Sequence, residues 1–209
     1  MEWLTDNKIP VGKSAAWIFD LMQDYGAWFF DALSDAMDAM IEAILWVLQS
    51  PHPLLVIAAF AALTYGLQRS WKVTLFVVLG FLFILNQGYW EETTESLTLV
   101  LSACVVCMGV GVPIGIAVAH RPRLYAWMRP GLDLMPTLPT FVYLIPAIVF
   151  FGIGMVPGLI ATVIFVVPAP IRLTHLGVTS TPDALLEAAD AFGATGWQKL
   201  LKGELPYAF

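Results

Sequence analysis

Charged residues are scarce in this sequence: they make up 12% of its 209 residues, whereas 59% are hydrophobic. The mean hydropathy of +0.78 is too high for a domain that folds in water around a core of its own. A water-soluble enzyme or binding domain is therefore excluded. The composition predicts a polytopic membrane protein, and its function must be sought across a lipid bilayer.

Two further scarcities limit the chemistry of the chain. No G-x-x-x-x-G-K-S/T phosphate-binding loop occurs, so any ATP that drives this protein must be hydrolysed by a partner. The two cysteines, Cys104 and Cys107, lie in an apolar run with no basic neighbour to make a thiol reactive. We interpret them as small packing residues and predict neither a catalytic residue nor a metal site.

Long apolar runs organise the chain from residue 54 onward. A helix that crosses a bilayer needs about 20 apolar residues, and the first two runs reach that length only with residues that flank them. We predict a transmembrane domain over residues 54–209 with five spans, at about 54–68, 73–89, 96–119, 134–152 and 156–172.

A polar tail and an amphipathic helix precede these runs, within residues 1–53. One face of the predicted helix is acidic and the opposite face is apolar. The acidic residues are Asp31, Asp35, Asp38 and Glu42, and the apolar ones are Trp28, Phe29, Leu33, Met37, Met40, Ile41, Ile44 and Leu45. Helices that bind anionic lipid usually carry Lys and Arg. We therefore interpret the acidic face as a solvated scaffold, with partner binding as the alternative.

Small residues recur every fourth position in the third run and predict a packing seam. They are Ala103, Cys107, Gly111, Gly115 and Ala119. Small side chains let two helix backbones approach closely in lipid, where apolar attraction adds little. Pro113 removes one backbone hydrogen bond and predicts a kink, for which a hinge is the alternative to static packing.

The fourth and fifth runs are rich in proline, which predicts bent or broken helices rather than routine ones. The prolines are Pro136, Pro139 and Pro146 in the fourth run and Pro157, Pro168 and Pro170 in the fifth. For Pro136, Pro157 and Pro170 we favour the simpler interpretation that they mark the ends of spans. The others indicate backbone that lines a polar path.

Beyond the fifth run the chain turns polar, with a helix start at Thr181-Pro-Asp183. Residues 181–206 predict a short helix, a bend at Gly193, and a second helix that Pro206 ends. We name this segment the elbow. An ordinary amphipathic loop between helices is the alternative.

The elbow resembles the cytoplasmic loop of ABC-importer permeases, whose signature is Glu-Ala-Ala, three residues, Gly, nine residues, Ile, any residue, Leu-Pro. The matching positions are Glu187, Ala188, Ala189, Gly193, Leu205 and Pro206, and Gly203 departs from the aliphatic residue usual there. The resemblance implies that these six residues dock the elbow in a groove of the ATPase subunit.

Basic residues agree with a cytoplasmic elbow. If each run crosses once, eight of the ten Lys and Arg residues fall on the elbow's side: Arg69, Lys72, Arg121, Arg123, Arg129, Arg172, Lys199 and Lys202. Lys8 and Lys13 fall outside with most of the acids. We therefore predict an exterior N-terminus.

Segments outside the elbow resemble the glycine betaine/proline betaine permeases. They are residues 86–91, 112–117, 129–139, 141–147, 151–158 and 160–165. The resemblance implies an all-α polytopic membrane protein with the type I ABC importer permease fold, in the bacterial plasma membrane. It further implies import of quaternary-ammonium osmoprotectants such as glycine betaine, proline betaine or choline. A permease for a sulfonate or amino acid, or a membrane scaffold or sensor, are the alternatives.

The resemblance also implies the partners: a homodimer of permeases, two ATPase subunits that bind ATP and Mg²⁺, and an extracytoplasmic betaine-binding protein. No cofactor is expected in this chain. Because the family continues with further membrane helices after Leu205-Pro206, we expect the chain to be truncated at its C-terminus and to lack a complete translocation path.

Candidate residues for that path are few. Asp133 is an acid beside a membrane run and could attract a cation, although a structural pair with Arg129 is favoured. A quaternary ammonium is recognised by aromatic faces. Phe141 and Tyr143 are candidates, together with Tyr89 and Trp90, and interface anchoring is the alternative for all four.

Overall fold

The computed structural model describes the backbone of residues 11–208 and the side chains of residues 28–207. Residues 1–10 of the predicted polar tail lie outside the described residues. All regular structure in the described part is helical: α1 Val11–Gln49, α2 Pro53–Gln68, α3 Trp71–Asn86, α4 Trp90–Ala119, α5 Pro122–Leu134, a 3-10 turn Met135–Thr137, α6 Phe141–Phe151, α7 Met155–Val166, α8 Pro168–Thr179, α9 Asp183–Ala191, α10 Gly196–Lys199, a π-turn Leu200–Glu204 and α11 Leu205–Ala208.

Two helices are long and apolar enough to cross a membrane unaided. They are α4, with 30 residues, and the continuous 25-residue helix Met155–Thr179 formed by α7 and α8. Two bent pairs of helices in the described part of the chain also qualify, which raises the number to four. The first joins Trp28–Gln49 of α1 to α2 at 97°, and the second joins Pro122–Thr137 to α6 at 93°. Helix α3 has 16 residues and is shorter than a bilayer requires. Five crossings therefore stay a prediction.

The fourth predicted run is broken, as its prolines indicate. Pro136 lies in the 3-10 turn and Pro139 lies in the irregular segment between that turn and α6. The direction of the chain changes there by 93°. The fifth run differs from expectation, because it contains no comparable bend. Pro168 and Pro170 occupy the first turn of α8, where α7 and α8 continue as one helix, so Pro170 does not mark the end of a span.

Helix α1 is amphipathic as predicted, and the four residues of the predicted acidic face, at positions 31, 35, 38 and 42, are exposed. Its apolar face packs inside the protein: Ile41 forms a buried cluster with Ala103 of α4 and with Val156 and Leu159 of α7. Gln49 also donates a hydrogen bond of 2.8 Å from Nε2 to Oγ1 of Thr94. The apolar face therefore packs against α4 and α7, while the acidic face is exposed. Two predicted members of the apolar face, Trp28 and Phe29, are exposed instead.

The small-residue seam of α4 is confirmed, and its partner is the continuous helix of α7 and α8: Ala103 and Cys107 face α7, and the two glycines face α8. A Cβ atom added to Gly111 would lie 2.7 Å from Cγ of Pro170. One added to Gly115 would lie 2.6 Å from Cβ of Thr174 and 2.8 Å from the carbonyl oxygen of Ile171. Ala103 and Cys107 are also buried, whereas Ala119 is half-buried and its neighbour Val118 takes the buried position. Pro113 lies within α4, which continues past it as one helix.

Candidate functional site

The elbow begins where α8 ends, as the Thr-Pro-Asp sequence predicts. Helix α8 ends at Thr179, Pro182 is extended, and α9 starts at Asp183. The carboxylate of Asp183 lies in the first turn of α9, where the positive end of the helix dipole stabilises a negative charge. The elbow therefore emerges directly from the second of the two long helices.

Gly193 ends α9 with a Schellman motif. Its φ is +73°, in the left-handed region that side chains with a Cβ disfavour. The N–H of Gly193 donates to the carbonyl of Asp190 at 2.9 Å, and the N–H of Ala194 donates to that of Ala189 at 3.0 Å. The predicted bend at Gly193 is present, and its cause is this pair of hydrogen bonds, which only a left-handed residue can close.

Thr195 starts the second half of the elbow with a capping box that our sequence analysis missed. The backbone N–H of Gln198 donates to Oγ1 of Thr195 at 3.4 Å, and the N–H of Thr195 donates to Oε1 of Gln198 at 2.9 Å. A threonine followed by glutamine three residues later is a sequence signal for this arrangement. The turn between the two halves is thus fixed on both sides, by Gly193 and by Thr195.

An ion pair closes the angle of the elbow. Nζ of Lys199 lies 2.6 Å from Oδ1 of Asp190, so it joins α10 to α9 across the turn. Both side chains are partly exposed, and such pairs typically contribute at most about 1 kcal/mol. The pair therefore orients the two halves more than it stabilises them.

Three of the six signature residues line an open groove on the elbow. Glu187 and Ala188 are exposed and Ala189 is half-buried. The groove has a volume of about 550 Å³, and Ala188, Ala189 and Gly193 contribute to its lining. Two aromatic side chains protrude from the elbow, Phe192 at 92% and Trp197 at 69% exposure. Exposed aromatic residues outside lipid are typical of surfaces that bind another protein.

Pro206 does not end the second helix of the elbow, contrary to our prediction. It is the second residue of α11, which continues to Ala208. The preceding turn is a π-turn in which the N–H of Leu205 donates to the carbonyl of Leu200, five residues earlier. Because proline lacks an N–H, it is tolerated in the first turn of a helix, where no donor is required. Leu205 is half-buried and Pro206 is exposed.

A buried carboxylate joins the elbow to α4, a contact that the sequence analysis missed. Glu204 is only 7% exposed. Its Oε2 lies 3.1 Å from Nε2 of His120, the residue that caps the C-terminal end of α4. The two residues are 84 positions apart in sequence, and no local pattern signals their pairing.

The predicted path residues surround the break before α6. Oδ1 of Asp133 lies 2.6 Å from Nη2 of Arg172 on α8, whereas Nε of the favoured partner Arg129 is 3.9 Å from Oδ2. The hydroxyl of Tyr143 donates to the carbonyl of Met135 at 3.0 Å and so ties α6 to the 3-10 turn. Phe141 is exposed. The assignment of these three residues to a translocation path stays a prediction.

We expect replacement of Thr195 by alanine to loosen the second half of the elbow. The change removes the acceptor for the N–H of Gln198, and loss of an N-cap typically costs about 1 kcal/mol. Amide hydrogen exchange of residues 196–199 should accelerate about fivefold, which is the corresponding change in the opening equilibrium. Thr195→Ser keeps the acceptor and should exchange at the parental rate. Equal rates for Thr195→Ala and the parent would contradict a stabilising cap.

Residues 111–209 match the family model of the binding-protein-dependent transport system inner membrane component. Together with the close relatives below, this match shows that the chain belongs to that family and is a membrane permease. The predicted all-α permease fold is thereby confirmed. The matched region begins at Gly111 in the seam of α4 and contains the whole elbow.

The chain is similar to several named permeases, three of which are described here. The chain is 40% identical over 205 residues to the glycine betaine/carnitine transport permease protein GbuB of Listeria monocytogenes, covering 96% of this chain and 73% of that protein. It is 42% identical over 180 residues to the glycine betaine transport system permease protein OpuAB of Bacillus subtilis, covering 86% of this chain and 64% of that protein. It is 47% identical over 121 residues to the glycine betaine/proline betaine transport system permease protein ProW of Escherichia coli, covering 58% of this chain and 34% of that protein. The chain thus spans between about a third and three quarters of these relatives.

Proposed function

We propose that the chain is the membrane-spanning subunit of an ATP-driven importer of quaternary-ammonium osmoprotectants. Glycine betaine is the first candidate substrate, because it stands in the names of all three relatives described above. Proline betaine and choline belong to the same chemical class. The observation that carries the transport role is the elbow, a rigid and exposed structure at the end of a long apolar helix.

Coupling to ATP is the proposed task of the elbow. A partner ATPase subunit binds ATP and Mg²⁺ and carries out the hydrolysis. Its surface receives the groove residues Ala188 and Ala189 together with Glu187, while Gly193 holds the angle between the two halves. Leu205 and Pro206 form the last part of the elbow, after the residues that contact the ATPase subunit. When the ATPase subunits close, the elbow moves with them and rocks the membrane helices between inward-facing and outward-facing states.

The rigidity needed for this coupling has a structural basis. Thr195 and Gly193 fix the turn, and the seam of α4 holds α8 in close contact over Gly111 and Gly115. A displacement of the elbow therefore moves α8, and α8 cannot move without α4 because the two helices are in close contact. This argument supports transmission of force by the elbow and requires no chemistry from its side chains.

The basic residues support the proposed orientation in the membrane. Arg121 follows the C-terminal end of α4 and Arg172 lies in the second turn of α8, seven residues before that helix ends at Thr179, and basic residues favour the cytoplasmic side. We propose that the elbow is cytoplasmic, that the N-terminus is outside, and that the protein lies in the bacterial plasma membrane. An extracytoplasmic betaine-binding protein delivers the substrate to a dimer of permease subunits.

Aromatic faces are the natural contacts for a quaternary ammonium, which has no N–H to donate. Phe141 is exposed beside the break before α6, and Tyr143 follows it within the same helix. We propose that these two residues and Asp133 line part of the path. Most of the selectivity is assigned to the binding protein.

Uptake by the full-length complex tests the proposal. Vesicles that contain the full-length permease with its ATPase and binding protein should accumulate labelled glycine betaine only when ATP is supplied. Excess unlabelled proline betaine should compete, whereas a sulfonate or an amino acid without a quaternary nitrogen should not. ATP-dependent uptake of a different solute would refute the substrate assignment. Uptake driven by sodium or protons without ATP would refute the coupling role.

A further inference from the structure

The buried carboxylate of Glu204 has no part in the proposed docking surface. It closes the π-turn Leu200–Glu204 and points away from the groove, towards the end of α4. A carboxylate that is 7% exposed loses much of its hydration, so its burial is unfavourable unless a donor or a cation compensates.

His120, at the C-terminal cap of α4, provides part of that compensation, since Oε2 of Glu204 lies within ion-pair distance of its ring but accepts no hydrogen bond among the described residues. Its Nε2 lies 3.1 Å from Oε2 and 3.4 Å from Oε1 of Glu204, and its Nδ1 lies 3.0 Å from the carbonyl oxygen of Ile116. The two ring nitrogens thus each lie close to an oxygen atom, one on α4 and one on the elbow, so the imidazole ring bridges the two elements.

We infer that the Glu204–His120 pair is a joint through which the elbow moves the C-terminal end of α4. This inference rests on the proposed function and adds to it a second route for force. The first route runs along the chain from α9 into α8. The second runs across space from the π-turn to α4, which also packs against α1 and α7 through Ala103. Glu204 and His120 are positioning residues in this account.

The geometry of the pair suits a joint better than a passive contact. A π-turn widens the helix by one residue, and such turns are frequent at functional sites. Here the widening occurs over Leu200–Glu204, directly before Leu205-Pro206, and presents the carboxylate to His120. Among the described residues, this pair is the polar side-chain contact between the second half of the elbow and the end of α4.

Uptake of betaine per ATP hydrolysed is the measurement that tests the joint. Glu204→Ala and His120→Ala should each lower this ratio roughly tenfold in the assembled full-length complex, the size expected for loss of a partly exposed charge-assisted contact. The double variant should be no worse than either single one, since both remove the same contact. Arg123→Gln, an exposed charge three residues from His120, should keep the parental ratio.

Copurification of the ATPase and the rate of ATP hydrolysis should stay at parental levels in all of these variants, because the docking surface is unchanged. Should Glu204→Ala not assemble, His120→Ala supplies the same test from the half-exposed partner. Parental coupling ratios in the assembled single variants would overturn the inference, as would additive losses in the double variant. A parent complex that takes up no betaine would instead refute the proposed function.

Discussion

Replacing Gly193 by valine is expected to give the largest loss of uptake of any single change in the elbow. At a φ of +73° a residue with a Cβ is strained, typically by about 1–2 kcal/mol and by more when the side chain is β-branched. The added Cβ meets no atom within 4 Å, so the effect comes from the backbone alone. The Schellman bonds would open and α9 would lose its angle to α10. ATP-dependent uptake should fall by about tenfold or more.

Two control variants separate backbone strain from other causes. Gly193→Asn should retain most uptake, because asparagine tolerates the left-handed conformation. Gly196→Ala, in the same elbow but at a residue with ordinary backbone angles and open space, should match the parent. Uptake by Gly193→Val at the parental level, with equal amounts of protein in the membrane, would contradict a role for the bend in coupling.

Replacing Gly115 by leucine is expected to separate α4 from α8. The first added carbon already lies 2.6 Å from Cβ of Thr174, and the carbonyl oxygen of Ile171 at 2.8 Å belongs to backbone that cannot turn aside. Overpacking of this kind costs typically about 1–3 kcal/mol, and here it acts at the base of the elbow. The purified protein should unfold at a lower temperature and resist proteases less.

Gly109→Leu is the matched control for that change. Gly109 lies in the same helix, but it is exposed and a Cβ there meets nothing within 4 Å. Its unfolding temperature should stay close to that of the parent. If Gly109→Leu and Gly115→Leu unfold at the same temperature, the close approach of α4 to α8 is not a source of stability.

The start and the bend of the elbow could be predicted because single residues in the sequence determine them. Thr181-Pro-Asp183 marks the start of α9 because proline and an acid suit the first turn of a helix. Gly193 marks its end because only glycine adopts the left-handed cap freely. The same reasoning failed at Pro206, since a π-turn before it removes the demand for a donor. Thr195 and Gln198 carried a readable signal that was overlooked.

Contacts between distant parts of the chain could not be predicted in this way. Glu204 pairs with His120 across 84 positions and Asp133 pairs with Arg172 across 39. In the sequence, Asp133 has a basic neighbour in Arg129. Arg172 comes closer to Asp133 only because α5 packs against α8. Proline density indicated a break in the fourth run, but the 93° change of direction depends on how α6 packs against α7.

Photo-crosslinking from Ala188 tests the central claim most directly. A photoreactive residue placed at this exposed position of the elbow, in the full-length protein in native membranes, should form an adduct with the ATP-hydrolysing subunit. The same residue at Leu82, an exposed position of α3, should form none with that subunit. No ATPase adduct from Ala188 in membranes that show ATP-dependent uptake, or an equal yield from both positions, would contradict docking of the elbow on the ATPase.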